Sequence, residues 1–235
     1  MLNSGSVVTA TFPTPGGRPA YAGDTAISGV PGRAAPVLLR FTGTEGSATG
    51  RLLPTGRVCD LVEGTQVTCV DNGMPVVVVR AGDLGVTGTE SPEQLAADTG
   101  LSARVQALRI AAGSLMGLGD VSGASVPKTT LVSAPRDGGT IGTRTFIPVS
   151  PHAAIGVLGA ISVGTALLLP GAAGAELAAW PDGPPSGPSR LDIEHPTGHL
   201  QVEVDIDTAV SPPRVRSAGV IRTARKLMDG IAYPA

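Results

Sequence analysis

The sequence predicts an α+β fold: a curled, mostly antiparallel β layer around one buried central helix, with a helical excursion set apart from it. Three observations predict this. The run from Ser150 to Gly171 carries no Asp, Glu, Lys or Arg and has apolar residues on every helical face. The segments around it are short and either alternating or β-branched, in the manner of strands. Only residues 91–118 join a helix-start signature to apolar residues at helical spacing.

The central helix is expected over about residues 151–169, with Ser150 as cap, Pro151 at the first helical position and Pro170-Gly171 as the stop. A helix apolar all round must be buried on all sides. At roughly 1.5 Å per residue it would run close to 30 Å, which is also the length of a membrane span. Gly156, Gly159, Gly164, Ser162 and Thr165 make it weakly hydrophobic, and no Lys or Arg flanks either end, so a span is rejected. The three glycines read instead as places where neighbouring backbone comes close. The N-terminus, with Ser150, Pro151 and His152, offers unpaired N–H groups and the positive end of the helix dipole, a seat for a carboxylate.

Taken in order, residues 6–12 alternate like a strand and end at the turn Pro13 to Gly17. A loop-rich passage leads to a short apolar strand at Pro36 to Phe41, and residues 43–54 read as exposed loop or hairpin. Thr65 to Val70 alternates, Asp71-Asn72-Gly73 is a turn, and Met74 to Arg80 is a β-branched run suited to a buried strand. Ser91-Pro92-Glu93-Gln94 has the form of a capping box, and Gly100 is expected to break that helix. Leu101, Val105, Leu108, Ala112 and Leu115 then recur at helical spacing, with Arg104 and Arg109 on other faces. Thr129 to Ala134 and Thr140 to Val149 are strands. Beyond the central helix come a Pro/Gly loop at 180–189 and a hairpin of Arg190 to Glu194 and Leu200 to Ile206 about Pro196-Thr197-Gly198. A strand at Val215 to Ile221 and a short basic helix at Arg222 to Met228 finish the chain.

Composition narrows the function classes. With 3% aromatic residues among 42% hydrophobic ones, the core must be aliphatic. A net charge of −2 leaves no electrostatic footprint for nucleic acid or an anionic membrane. Met1 to Gly5 has neither a basic nor an apolar leader segment, so no signal peptide is expected. Cys59 and Cys69, the two cysteines, read as reduced thiols of a cytoplasmic protein, and their spacing does not suit zinc. The Gly-rich loops lack the strand–G-x-G-x-x-G–helix context of a nucleotide site.

Several motifs together resemble the 4-oxalomesaconate tautomerase and 2-methylaconitate isomerase family. They are D-N-G-M-P-V-V at 71–77, V-P-K at 126–128, G-G-T-I-G-T-R-T-F-I-P at 138–148 and S-P-H-A-A-I-G-V-L-G-A-I-S-V at 150–163. L-D-I-E-H-P-T-G at 191–198 and S-A-G-V-I-R-T-A-R-K-L at 217–227 belong to the same resemblance. It implies a diaminopimelate epimerase-like fold of two similar domains, each a helix wrapped by strands, with the active site in the cleft between. It implies an isomerase that moves a proton by a 1,3-allylic shift in a polycarboxylic acid, without metal or cofactor, in cytoplasmic aromatic-acid catabolism. The runner-up substrate is 2-methylaconitate. Residues 1–214 correspond to the second, substrate-binding domain, and 215–235 to a segment that returns to the first domain, most of which is missing upstream. The family's acid/base residues, a cysteine beside an asparagine-glycine pair and a lysine, belong to that first domain. Cys59, Cys69, Lys128 and Lys226 do not sit in those motifs, so no catalytic residue is assigned in this chain.

The candidate substrate-binding residues are Asn72, Gly73, Met74, Arg144, Ser150, His152 and Ala153. His152 is either a carboxylate contact or a helix-capping histidine. Arg144 is either a bidentate carboxylate clamp or a surface arginine on a strand. Asn72 to Met74 is a turn by its residues and reaches into the cleft in the distant epimerases. His195 and His199 are expected in solvent at a hairpin turn, and Cys59 and Cys69 are packing residues. The partners implied are a small polycarboxylate and either the missing first domain or a second copy. A non-catalytic carboxylate-binding module is the alternative from another class. Without a partner domain, Val220, Ile221, Leu227, Met228 and Ile231 would lack anything to bury against, and self-association is expected.

Overall fold

The computed structural model describes residues 7–181, 183, 185, 187–231 and 233. Among these, eleven strands join in one sheet: β1 (Val8–Thr11), β2 (Pro36–Phe41), β3 (Asp60–Val62), β4 (Thr65–Asp71), β5 (Pro75–Arg80), β6 (Lys128–Ser133), β7 (Ile141–Ile147), β8 (Ser150–Pro151), β9 (Ser189–His195), β10 (Gly198–Asp207) and β11 (Arg214–Thr223). The helices are α1 (Pro92–Ala97), α2 (Thr99–Leu115) and α3 (Val157–Leu167). The strand order is β1-β2-β11-β10-β9-β7-β6-β5-β4-β3, with β8 paired to β7.

Every neighbouring pair is antiparallel except β5 with β6 and β7 with β9. Parallel neighbours need a crossover, and the helices supply both: α1 and α2 between β5 and β6, α3 between β7 and β9. The two crossovers step the same way across the sheet, yet β5 and β7 run in opposite directions. Crossovers of one hand, right-handed as nearly all are, must therefore leave their helices on opposite faces.

The two cores bear this out along a single strand. Val76 and Val78 of β5 pack with Ile161, Val163 and Ala166 of α3. Val77 and Val79, pointing the other way, pack with Leu101, Val105 and Leu108 of α2. That is why the β-branched run carries no polar alternation: both faces are covered. α3 touches β4 and β5 on one side and β9, β10 and β11 on the other, so the sheet curls around it. Residues Gly159 to Leu167 are all buried, as an all-apolar helix requires.

Four local expectations are corrected. α3 begins at Val157 rather than Pro151, because Ser150 and Pro151 pair with Ile147 and Phe146 and the His152 N–H donates to Thr145 O at 2.8 Å. The ladder consumes the donors and fixes extended backbone where a first helical turn was expected. The break after the capping box falls at Asp98, and Gly100 lies inside α2. None of the three glycines marks a backbone approach: a Cβ at Gly164 would sit 3.2 Å from a Val202 side-chain methyl, one at Gly159 would meet only the Ile155 side chain at 3.9 Å, and one at Gly156 nothing within 4 Å. Arg222 and Thr223 continue β11, and residues 224–231 are not helical. That strand buries Val220 and Ile221 between β2 and β10, whereas Leu227, Met228 and Ile231 stand 79%, 86% and 81% exposed. No helix among the described residues is long and apolar enough to cross a membrane.

Candidate functional site

The D-N-G-M turn is fastened to α3. The Asp71 carboxylate accepts from Ser47 Oγ, the Ala48 and Thr49 N–H groups and Thr49 Oγ1 at 2.9–3.1 Å, which fixes the loop before β3. Asn72 is fully buried: its N–H donates to Ser162 Oγ at 3.1 Å and its Nδ2 to Thr165 Oγ1 at 2.9 Å. Its Oδ1 accepts from Thr44 Oγ1 at 2.6 Å. Ser162 Oγ in turn donates to Met74 O at 2.7 Å. Gly73, with φ of 92°, packs a backbone no side chain would suit against Leu158 in the first turn of α3. Asn72 thus holds the turn to the helix through its buried side chain, while half-buried Gly73 and Met74 are the parts of the turn nearest solvent.

Ser162 and Thr165 escaped the sequence reading as functional partners. Their signal was present: two hydroxyls three positions apart on an otherwise apolar helix lie on one face and must find partners there.

The head of α3 is left open. Gly156 is its N-cap, in extended conformation at φ −71°, and no side chain among the described residues caps it. The segment that feeds it, 152–156, is tethered by three bonds. The His152 N–H reaches Thr145, Ala154 N–H donates to His152 Nδ1 at 2.9 Å, and Ala153 O accepts from Thr197 Oγ1 at 2.8 Å. Ser150, His152 and Ala153 are exposed and lie in the stretch of chain that leads to the helix head. They stand before the helix, however, rather than in its first turn. His152 turns Nδ1 onto its own backbone two residues on, leaving Nε2 as the edge that faces outward.

Arg144 is neither a bare surface arginine nor engaged with a carboxylate. From β7 its Nε donates to Glu90 O at 2.6 Å and its Nη1 to Thr143 O at 2.8 Å. Burial lowers its pKa, against the pull of Glu90 and Glu194.

The β9–β10 hairpin borders the same region, and its histidines are half-buried rather than solvent-exposed. His195 Nδ1 accepts from the Thr197 N–H at 3.3 Å. Burial and the positive neighbours His199, His152 and Arg144 pull its pKa below the ordinary value. His199 lies between Asp137 and Asp192, each 3.2 Å from a ring nitrogen. Burial lowers its pKa, but those carboxylates outweigh it and the net shift is upward. Glu194 accepts from the Arg136, Asp137 and Gly139 N–H groups at 2.7–2.8 Å, and these donors overcome its burial to lower its pKa. Cys69 is buried in the α2 core, and burial followed by the Asp60 charge raises its thiol to about 12. It holds its proton at neutral pH and serves as packing.

A large sheet closed on one helix, with a second helix pair on its outer face, is the architecture of a solved structure titled methylitaconate-delta-isomerase. The likeness has a TM-score of 0.84 at 26% identity, covering 97% of this chain and 63% of that one. The chain belongs to the PrpF family, whose model, described as PrpF protein, matches residues 1–234. It is 51% identical over 233 residues to the (4E)-oxalomesaconate Delta-isomerase of Novosphingobium sp., covering 99% of this chain and 64% of that protein. It is 49% identical over 231 residues to the 4-oxalomesaconate tautomerase of Pseudomonas putida, covering 98% and 62%. The chain therefore spans a little under two thirds of the length of the curated relatives it matches.

Proposed function

We propose that this chain is the carboxylate-binding domain of an isomerase that shifts a double bond in an unsaturated polycarboxylic acid, with 4-oxalomesaconate as substrate. The observation that carries this reading is the uncapped head of α3, flanked by exposed Ser150, His152 and Ala153 and by the Asn72–Met74 turn riveted to the same helix. The 51% identity to a (4E)-oxalomesaconate Delta-isomerase supports the choice of substrate over 2-methylaconitate.

The reaction breaks one C–H bond and forms another two carbons along. Between these events a delocalised carbanion places negative charge on a carboxylate or keto oxygen. Backbone N–H groups at a helix head, with the dipole behind them, stabilise that charge without reorganising. In this reading His152 Nε2 and the remaining Arg144 N–H groups hold a second carboxylate, and Asn72 sets the distance between turn and helix. The proton-moving acid and base come from the other domain of a diaminopimelate epimerase-like pair, acting in cytoplasmic aromatic-acid catabolism. Two features of this chain support that division. Cys69 is protonated and buried, and neither cysteine nor Lys128 or Lys226 matches the family's acid/base motifs. The exposed apolar tail at Leu227, Met228 and Ile231 is then the surface that docks on that domain or on a second copy.

The test is spectrophotometric. The chain joined to the family's first domain should isomerise 4-oxalomesaconate in preference to 2-methylaconitate, and the reverse preference would reassign the substrate. The chain alone should bind the acid without exchanging its protons in deuterated water. Exchange by the isolated chain would place the acid and base within these residues.

A further inference from the structure

The hairpin turn between β9 and β10 touches the segment ahead of α3 at one polar contact, the hydroxyl of Thr197 on Ala153 O at 2.8 Å. The turn is itself fixed from two directions. Its inner side is held by the Thr197 N–H on His195 Nδ1. Its outer side is held by Ser28, whose Oγ accepts from the His199 N–H at 2.8 Å and packs against Gly198 where a Cβ would collide at 2.4 Å. The other tethers of residues 152–156 are of a different kind. One extends the β7–β8 ladder at His152, and the other is internal, from Ala154 N–H to His152 Nδ1. Among the described residues, the Thr197 hydroxyl is thus the hydrogen bond that ties Ala153 to an element outside that ladder.

We infer that Thr197 is a positioning residue for anion binding at the head of α3: by holding Ala153 O it sets where the 152–156 segment presents His152 and the helix N–H groups. This rests on the reading of that head as a carboxylate seat. The physical reason is leverage. A residue in irregular backbone has two soft dihedrals, and the segment joins a strand that ends at Pro151 to a helix that begins at Val157. A carbonyl anchored midway removes much of that freedom before ligand arrives, and a seat organised beforehand binds more tightly than one ordered on contact.

The test is a titration of the full chain with tricarballylate, a saturated tricarboxylate, followed by the backbone amide resonances of residues 153–158 and by calorimetry. Wild type should show saturable shifts at those amides. Thr197→Val keeps the side-chain shape, removes the donor, and should weaken binding about fivefold, the equivalent of one neutral hydrogen bond. Thr197→Ser restores the donor and should recover most of the affinity, with thermal midpoints alike in all three proteins. Wild-type affinity in Thr197→Val overturns the inference while leaving the carboxylate seat intact. Weak binding in Thr197→Ser matching Thr197→Val also overturns it, since the hydroxyl is then not the active group. Absence of any shift in wild type overturns the seat itself, and the inference with it.

Discussion

α2 and α3 begin in opposite ways. The α1–α2 pair is finished by its own side chains: Ser91 and Gln94 exchange the two bonds of a capping box, and Asp98 Oδ1 accepts from the Leu101 N–H at 2.7 Å. α3, the more deeply buried helix, starts at a glycine with no side-chain cap. The contrast extends inward. Arg109 of α2 is fully buried with the apolar stripe, not on another face as expected, and gives its guanidinium to the carbonyls of Val121, Ser122, Ala124 and Val126 and to Gln106. α3 instead receives its polar partners from a distant turn, through Asn72 on Ser162 and Thr165. One helix is closed on its local sequence. The other is assembled from parts far apart in the chain and has no side-chain cap at its head, which on the reading proposed above is where a carboxylate sits.

The sharpest way to break this contrast is to remove each helix's internal partner. Arg109→Met should destabilise by about 3–4 kcal/mol, because four carbonyls then lose their donor in a site with little water. Urea denaturation followed by circular dichroism would measure it, and a loss under about 1 kcal/mol would mean that water replaces the guanidinium. Asn72→Leu removes the side-chain bonds to Thr165 of α3 and from Thr44, while the backbone N–H still reaches Ser162, and should cost about 2–3 kcal/mol, with the loss felt in tricarballylate binding as well.

Capping α3 should sharpen the contrast further. A Cβ at Gly156 meets nothing within 4 Å, and its backbone already has cap conformation. Gly156→Asp should therefore stabilise by about 0.5 kcal/mol while abolishing anion binding, since the new carboxylate fills the seat. A variant that is more stable and still binds tricarballylate would place the ligand elsewhere.

The smallest effect expected is in pH, at the hairpin beside the helix head. His199 has a raised pKa, so its contribution is present below about 6.5 and is lost as pH rises through the folded value above that. Glu194 has a lowered pKa, so its contribution is present above about 4.5 and is lost as pH falls through the folded value below that. Urea midpoints should fall modestly between about pH 6 and about pH 9, and His199→Gln should flatten that slope.

What was legible in the sequence was local. The capping box at Ser91, the positive φ of Gly73 in the turn after Asp71 and the Thr197 N–H on His195 in the hairpin are features of residues acting on their own backbone neighbours, and each element stands where it was expected. The buried strand at Val76 to Val79 and the buried helix around Ile161 followed from a lack of polar alternation, which leaves water no face to occupy. The misplaced elements were decided by distant partners. Ser150-Pro151 has good helix-start chemistry, but β7 offers hydrogen bonds to that backbone and a strand forms instead. Arg222 and Thr223 could extend a basic helix by propensity, yet β2 supplies a ladder and β11 continues through them. Asn72, Arg109 and the half-buried histidines show the same limit in side chains. A residue's type fixes which bonds it must make, while which atoms are within reach to make them is set only when strands far apart in sequence become neighbours in the sheet.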